Sequence, residues 1–149
     1  MGSHAGAMYP ILSDRRLYEF TGDEPPESVE ALQAWYSKLE TRKSPDESQL
    51  WLTWLVCIAE DDTAIGHVQA TVTESHTDIA WLIGLEWQGN GYASEATTKL
   101  VNWLISNDVK SIRACVNPNH EASQLVASNA KLSRSNLVED GEEVWLLRC

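Results

Sequence analysis

The chain has 149 residues, 22 of them acidic against 11 basic, for a formal net charge of −11 at pH 7. That field repels the phosphates of nucleic acid and of anionic membranes, which argues against both as partners. No apolar stretch reaches the roughly 18 residues of a membrane-spanning helix, and a hydrophobic content of 43% is ordinary for one globular domain that buries a core.

Met1 to Ala7 carry no basic region followed by an apolar one, so they do not read as a secretory leader. Residues 1–8 are set aside as a disordered tail or expression remnant, and a single domain is expected over 9–149. Tyr9-Pro10-Ile11-Leu12 reads as a short, proline-broken opening strand. Pro25-Pro26-Glu27-Ser28 starts a helix, with Ser28 as N-cap and Val29, Leu32, Trp35, Tyr36 and Leu39 at helical spacing up to about Thr41. Arg42 to Ser48, with Pro45, is a polar loop. Trp54 to Glu60 and Ile65 to Glu74 read as a hairpin around Asp61-Asp62-Thr63.

Ser75-His76-Thr77 turns the chain into an apolar strand over 78–85. A helix follows from about Gly91 to Asn107, with Ala93, Ala96, Leu100, Trp103 and Leu104 inward. Ser111 to Val116 is a short strand, His120 to Ala130 a helix, and Val138 to Asp140 pairs with Val144 to Arg148 around Gly141. The strands 78–85 and 111–116 are joined by a helix and should be parallel. The sum is an α/β (α+β) domain with a mixed, mostly antiparallel sheet flanked by helices. Cys57, Cys115 and Cys149 are odd in number and far apart, with no CxxC or Cys/His cluster to suggest a metal. Cys57 and Cys115 sit in apolar strand patterns, where buried reduced thiols are expected, and a reducing cytoplasm is the default location.

The most informative stretch runs from Asp78 to Thr98. A strand ending in a glycine-rich turn at a helix N-terminus is an anion site, because unpaired amides point one way and the helix dipole adds positive charge. A phosphate loop of NTPases would need Gly-Lys-Ser/Thr, which is absent. A dinucleotide fingerprint would need a third glycine where Ser94 stands, and an acid ending the next strand, whereas Asp108 precedes it. The turn can also be read as a tight connection and nothing more.

Gln88-Gly89-Asn90-Gly91-Tyr92-Ala93 resembles the Q/R-x-x-G-x-G/A motif of the GNAT N-acetyltransferases. Pro118-Asn119-His120-Glu121-Ala122-Ser123, with Val126-Ala127 and Leu132, resembles the second motif of the same superfamily, about 30 residues on. Trp87 and Asp140-Gly141-Glu142 look most like the Rim-type branch, which acetylates amino groups of ribosomal proteins. The resemblance implies two central parallel strands that splay apart and an acetyl-CoA held between them. It puts the pyrophosphate on Gln88, Gly89, Asn90, Gly91, Tyr92, Ala93 and Ser94, the pantetheine arm on Ile83, Gly84, Leu85 and His120, and Ser123 also against the cofactor. It also implies a fuller opening strand than this chain has, and glycine where Lys131 stands, at a left-handed turn. Four or five charge-assisted backbone bonds at about 1.5–3 kcal/mol each outweigh a diffuse repulsion screened beyond about 8 Å.

The implied function is acetyl transfer from acetyl-CoA to a primary amine, either a protein N-terminus or a cationic small molecule such as a polyamine or aminoglycoside. A different reading is a non-catalytic module that binds acyl-CoA as a sensor. Ser123 falls where some relatives have a donor to the leaving thiolate, and it is otherwise an ordinary polar residue of a first helical turn. His120 is alternatively a helix cap. Many relatives use a tyrosine on this last helix, but the chain has none after Tyr92. The general base is open among Asp78, Glu74, His67 and an ordered water, because Ala80 stands where some relatives carry glutamate. Strand edges left by the short opening segment could pair two copies into a homodimer.

Overall fold

One sheet carries apolar side chains on both of its faces, and a pair of helices covers each. The computed structural model describes residues 4–19, 24–44 and 46–149; residues 1–3 of the expected tail and Pro45 of the expected loop lie outside them. The order is α1 (Ala5–Leu12), a 3-10 turn (Arg15–Tyr18), α2 (Val29–Leu39), β1 (Leu50–Cys57), β2 (Ala64–Val72), β3 (Thr77–Ile83), a 3-10 turn (Leu85–Trp87), α3 (Tyr92–Ser106), β4 (Ser111–Val116), α4 (Glu121–Asn129), β5 (Ser133–Glu139) and β6 (Glu142–Arg148). The strands lie in the order β1-β2-β3-β4-β6-β5, and of the pairings only β3 with β4 is parallel. The expected mixed, mostly antiparallel α/β sheet is therefore the observed one.

Several local elements follow from local chemistry. Ser28 caps α2 as its spacing predicted, its hydroxyl accepting from the Ala31 amide at 3.0 Å. Asp140 (φ 52°) and Gly141 (φ 80°) form a two-residue turn with both φ positive, between the paired Glu139 and Glu142. This geometry matches the right-handed twist of a hairpin; β6 begins at Glu142 and β5 at Ser133, both sooner than expected, while Asp140, expected in the strand, belongs to the turn. At the end of α4, Lys131 N–H bonds Ser128 O and Leu132 N–H bonds Ala127 O, both at 3.0 Å. Lys131 sits at φ 76°, the left-handed residue of a Schellman motif, with Leu132 buried behind it. A lysine side chain there costs about 1 kcal/mol relative to glycine. Lys131→Gly should therefore raise the melting temperature by roughly 2–4 °C in calorimetry; no change would show the turn to be relaxed.

The start of the chain departs from expectation. Residues 9–12 do not form an opening strand. They are the second half of α1, which begins inside the segment set aside as a tail. Ala5, Met8 and Leu12 are buried at helical spacing and pack with Leu32, Tyr36 and Leu39 of α2 over one sheet face. The spacing straddles residue 8, so residues 9–12 alone show no helical period. On the opposite face α3 and α4 close a core of Val68, Ala70, Ile79, Leu100, Leu104, Ile112 and Ala127. Trp103, expected inward, is 45% exposed and meets the edge of Trp54 with ring centroids 5.2 Å apart. All three cysteines are free and exposed, against the expectation for Cys57 and Cys115. Cys57 ends an edge strand at a register shift, and Cys115 faces the opening between β3 and β4.

Candidate active site

The cleft is made by a pairing that stops. β3 and β4 share only two rungs, Thr77 with Ile112 and Asp78 with Arg113. Past them a cavity of about 370 Å³ opens, walled by Ile79 to Ile83 on one side and by Cys115, Val116 and Asn117 on the other. An ion pair closes its base: Arg113 Nε donates to Asp78 Oδ1 at 2.7 Å, and Arg113 also reaches Glu139 Oε2 at 3.0 Å. The Asp78 carboxylate holds the Arg113 guanidinium charged beyond its ordinary range. Asp78 Oδ2 further meets His76 Nε2 at 3.2 Å.

At the other end of β3 the chain turns into α3. The strand stops at Ile83, two residues sooner than expected, and Leu85 belongs to the 3-10 turn. Gln88 does not reach outward: its amide donates to Ile83 O at 2.8 Å and ties the turn to the strand. Asn90 braces the turn from within, donating to Trp87 O at 3.1 Å. Gly89 and Gly91 both stand at φ 82°, and a Cβ built on either would meet nothing within 4 Å. The close approach left to a ligand is therefore to bare backbone. Gly91 is the N-cap of α3 without a side-chain cap, and the first helical bond is Glu95 N–H to Gly91 O at 3.0 Å. The amides of Tyr92, Ala93 and Ser94 precede that bond and stand outside the helical ladder. Ser94 Oγ accepts from Asn129 at 3.0 Å, which fixes the start of α3 against the end of α4.

Of the residues named from sequence, Ile83, Gln88, Gly89, Gly91, Tyr92, Ala93, Ser94, His120 and Ser123 line one cavity. Gly84, Leu85 and Asn90 do not line it; Gly84 instead packs its backbone against Ile11 and Trp87. His120 is the N-cap residue of α4 but makes no side-chain cap bond, which removes its reading as a cap. Burial lowers its pKa, partly offset by the nearby Glu19 carboxylate. Ser123 lies one turn further on, half-buried on the same wall. Sequence reasoning missed Leu17, Cys115 and Glu142, which topology brings to the cavity from the first 3-10 turn, β4 and β6. Partial burial, then Glu139, push the Cys115 thiol up, so it stays protonated at neutral pH. Among the described residues no three His, Cys, Asp or Glu side chains gather as a metal site, and no helix is long and apolar enough to cross a membrane.

A turn of exposed amides at a helix start, opening on a cleft where two parallel strands stop pairing, defines an anion-binding class of α/β site. The model of the acetyltransferase (GNAT) domain matches residues 2–133. The chain belongs to the GNAT acetyltransferase family and is an N-acetyltransferase by that membership. No curated protein sequence matches it significantly. Solved structures share the fold at low identity. The GNAT-family acetyltransferase from Bacillus anthracis superposes with a TM-score of 0.78 at 15% identity, covering 99% of this chain and 90% of that one. Spermidine N-acetyltransferase from Vibrio cholerae, in complex with CoA and spermine, gives 0.77 at 17%, covering 98% and 90%. Aminoglycoside acetyltransferase AAC(6')-Ib, in complex with coenzyme A, gives 0.77 at 17%, covering 99% and 91%.

Proposed function

We propose that the protein transfers acetyl from acetyl-CoA to a primary amine of a cationic small molecule. The observation that carries this is the uncapped start of α3, whose amides open onto the 370 Å³ cleft beside Ser123. The amides of Tyr92, Ala93 and Ser94 would take the pyrophosphate. The pantetheine arm would lie along the inner edge of β3, beside His120. When bound, acetyl-CoA supplies the acetyl group as an activated thioester. Ser123 would donate to the sulfur as the thiolate leaves.

The acceptor is the finer part of the reading. Glu142 lines the cavity and Glu19 stands beside His120, whereas no lysine or arginine is among the described lining residues. Carboxylates at a cleft in a chain of net charge −11 favour a cationic acceptor over a neutral one. Such an amine has a pKa near 10.4, so only about one part in 2,500 is neutral at pH 7, and the site must help remove its proton. Spermine and aminoglycosides, the partners of two structural neighbours, are of this class.

Thiol release from acetyl-CoA tests the reading, across spermidine, kanamycin and a peptide with a free N-terminus. Turnover is expected with the polycations. Ser123→Ala should lower kcat by roughly 100-fold with little change in the KM for acetyl-CoA. A protein that binds CoA yet releases no thiol above background with any amine is the sensor of the alternative reading.

A further inference from the structure

The proposed transfer must strip a proton from the attacking nitrogen, and position decides among the groups that could take it. Glu74 sits in the exposed turn between β2 and β3, at the end of the strands away from the glycine turn. Asp78 is held by Arg113 and His76 at the closed base of the cleft. His67 lies on β2 between Leu55 and Leu82 and does not line the cavity. Ala80 lines the cavity, exposed, with no polar atom on its side chain.

His120 remains, the one imidazole among the described lining residues. Its backbone is fixed at both ends, the N–H donating to Asn117 O at 2.9 Å and the carbonyl accepting from Gln124 N–H at 3.1 Å. Ser123 lies one helical turn on from it, and both line the cavity together with Leu17 of the first 3-10 turn. The Glu19 carboxylate acts on the imidazole through charge, and Glu142 of β6, Cys115 of β4 and Tyr92 of α3 line the same cavity.

We infer that His120 is a catalytic residue, the base that takes the proton shed by the acceptor amine, with Glu19 steadying the resulting imidazolium. The inference rests on the transferase reading above. The step balances without a further reagent. The amine reacts in its neutral form, its ammonium proton left to solvent; the nitrogen bonds the thioester carbonyl carbon, its N–H proton passes to His120, and the carbon–sulfur bond breaks. The electron pair leaves on sulfur, which gains a proton through Ser123 and solvent. His120 holds the nitrogen's proton until it returns to water. Burial keeps the ring neutral, and hence able to accept, at pH 7.

The experiment is the pH dependence of kcat/KM for spermidine with saturating acetyl-CoA, in wild type, His120→Asn and Glu19→Gln. Wild type should lose rate on acidification, with its inflection below pH 6.5. His120→Asn should lose about 100-fold or more in kcat, with no inflection there and a KM for acetyl-CoA changed less than ~3-fold. Glu19→Gln should move the inflection to lower pH, because a charge that favours the imidazolium is gone. Calorimetric CoA affinity shows that each variant keeps its cleft. An active wild type whose His120→Asn variant keeps kcat and inflection, or changes only the KM for acetyl-CoA, overturns the inference and leaves the transferase reading standing. So does an inflection abolished by Glu142→Gln instead. A wild type inactive with every amine overturns both.

Discussion

Gly91→Glu should abolish coenzyme A binding while leaving the fold intact. Gly91 stands at φ 82° with nothing near the place a Cβ would occupy, so the strain of a side chain is about 1 kcal/mol and no atom must move. The new carboxylate would lie at the positive end of α3, which stabilises it. It would thereby occupy the charge site that the amides of Tyr92, Ala93 and Ser94 offer to a pyrophosphate, and repel what approaches. Losing two or three charge-assisted bonds at about 1.5–3 kcal/mol each weakens binding by roughly 10²-fold to beyond 10⁴-fold. Gly91→Ala adds only the strain and should stay within about tenfold of wild type. Calorimetry with CoA and circular dichroism decide it: unchanged affinity in a folded Gly91→Glu protein would remove the pyrophosphate from this turn.

The second large effect is on stability against pH. His67 is half-buried on β2 between Leu55 and Leu82, on the face covered by α1 and α2. Its Nδ1 is buried with no hydrogen-bond partner among the described residues, and burial pushes its pKa down to about 4. In the unfolded chain the same ring titrates near 6.5. The unfolded state therefore binds more protons between these values. The contribution of a neutral His67 is complete above pH 6.5 and is lost as pH falls toward 4. Full titration is worth on the order of 3 kcal/mol, a fall in melting temperature of roughly 5–10 °C between pH 7 and pH 4. His120, also lowered, adds a loss of the same sign. His67→Leu isolates the larger part: it removes the orphaned nitrogen and should flatten the melting curve against pH. An equal slope in that variant would assign the loss elsewhere.

What could be read from the chain is what neighbours in sequence decide. Ser28 with its helix, Asp140-Gly141 in its hairpin and the Gly89–Gly91 turn depend on a few adjacent residues, and all formed where the spacing put them. The left-handed turn at Lys131 came instead from the family resemblance, which puts glycine there. His67 fell within the expected strand Ile65 to Glu74, but no local pattern told which helices would cover its face. Leu17, Cys115 and Glu142 meet at one cleft only because β4 pairs β6 and the first 3-10 turn folds across, and no local pattern encodes that. Gln88 and Asn90 bore motif letters that suggest contact with a ligand, yet their side chains spend their hydrogen bonds inside the turn. There the motif describes a scaffold for backbone, not a set of reaching side chains.

The two-rung contact between β3 and β4 leaves the sheet almost cut in half. Strands β1–β3 and β4–β6 are each well laddered, but along their common seam they rely on those two rungs, one ion pair and the core that α3 and α4 close on one face. A molecule built this way yields first along its midline. Deuterium should enter the inward-facing amides of residues 79–83 well before those shared between β1 and β2. An occupant whose own amides bridge the gap would act as a splint, so loading the protein should stiffen it as a whole and not merely at the point of contact.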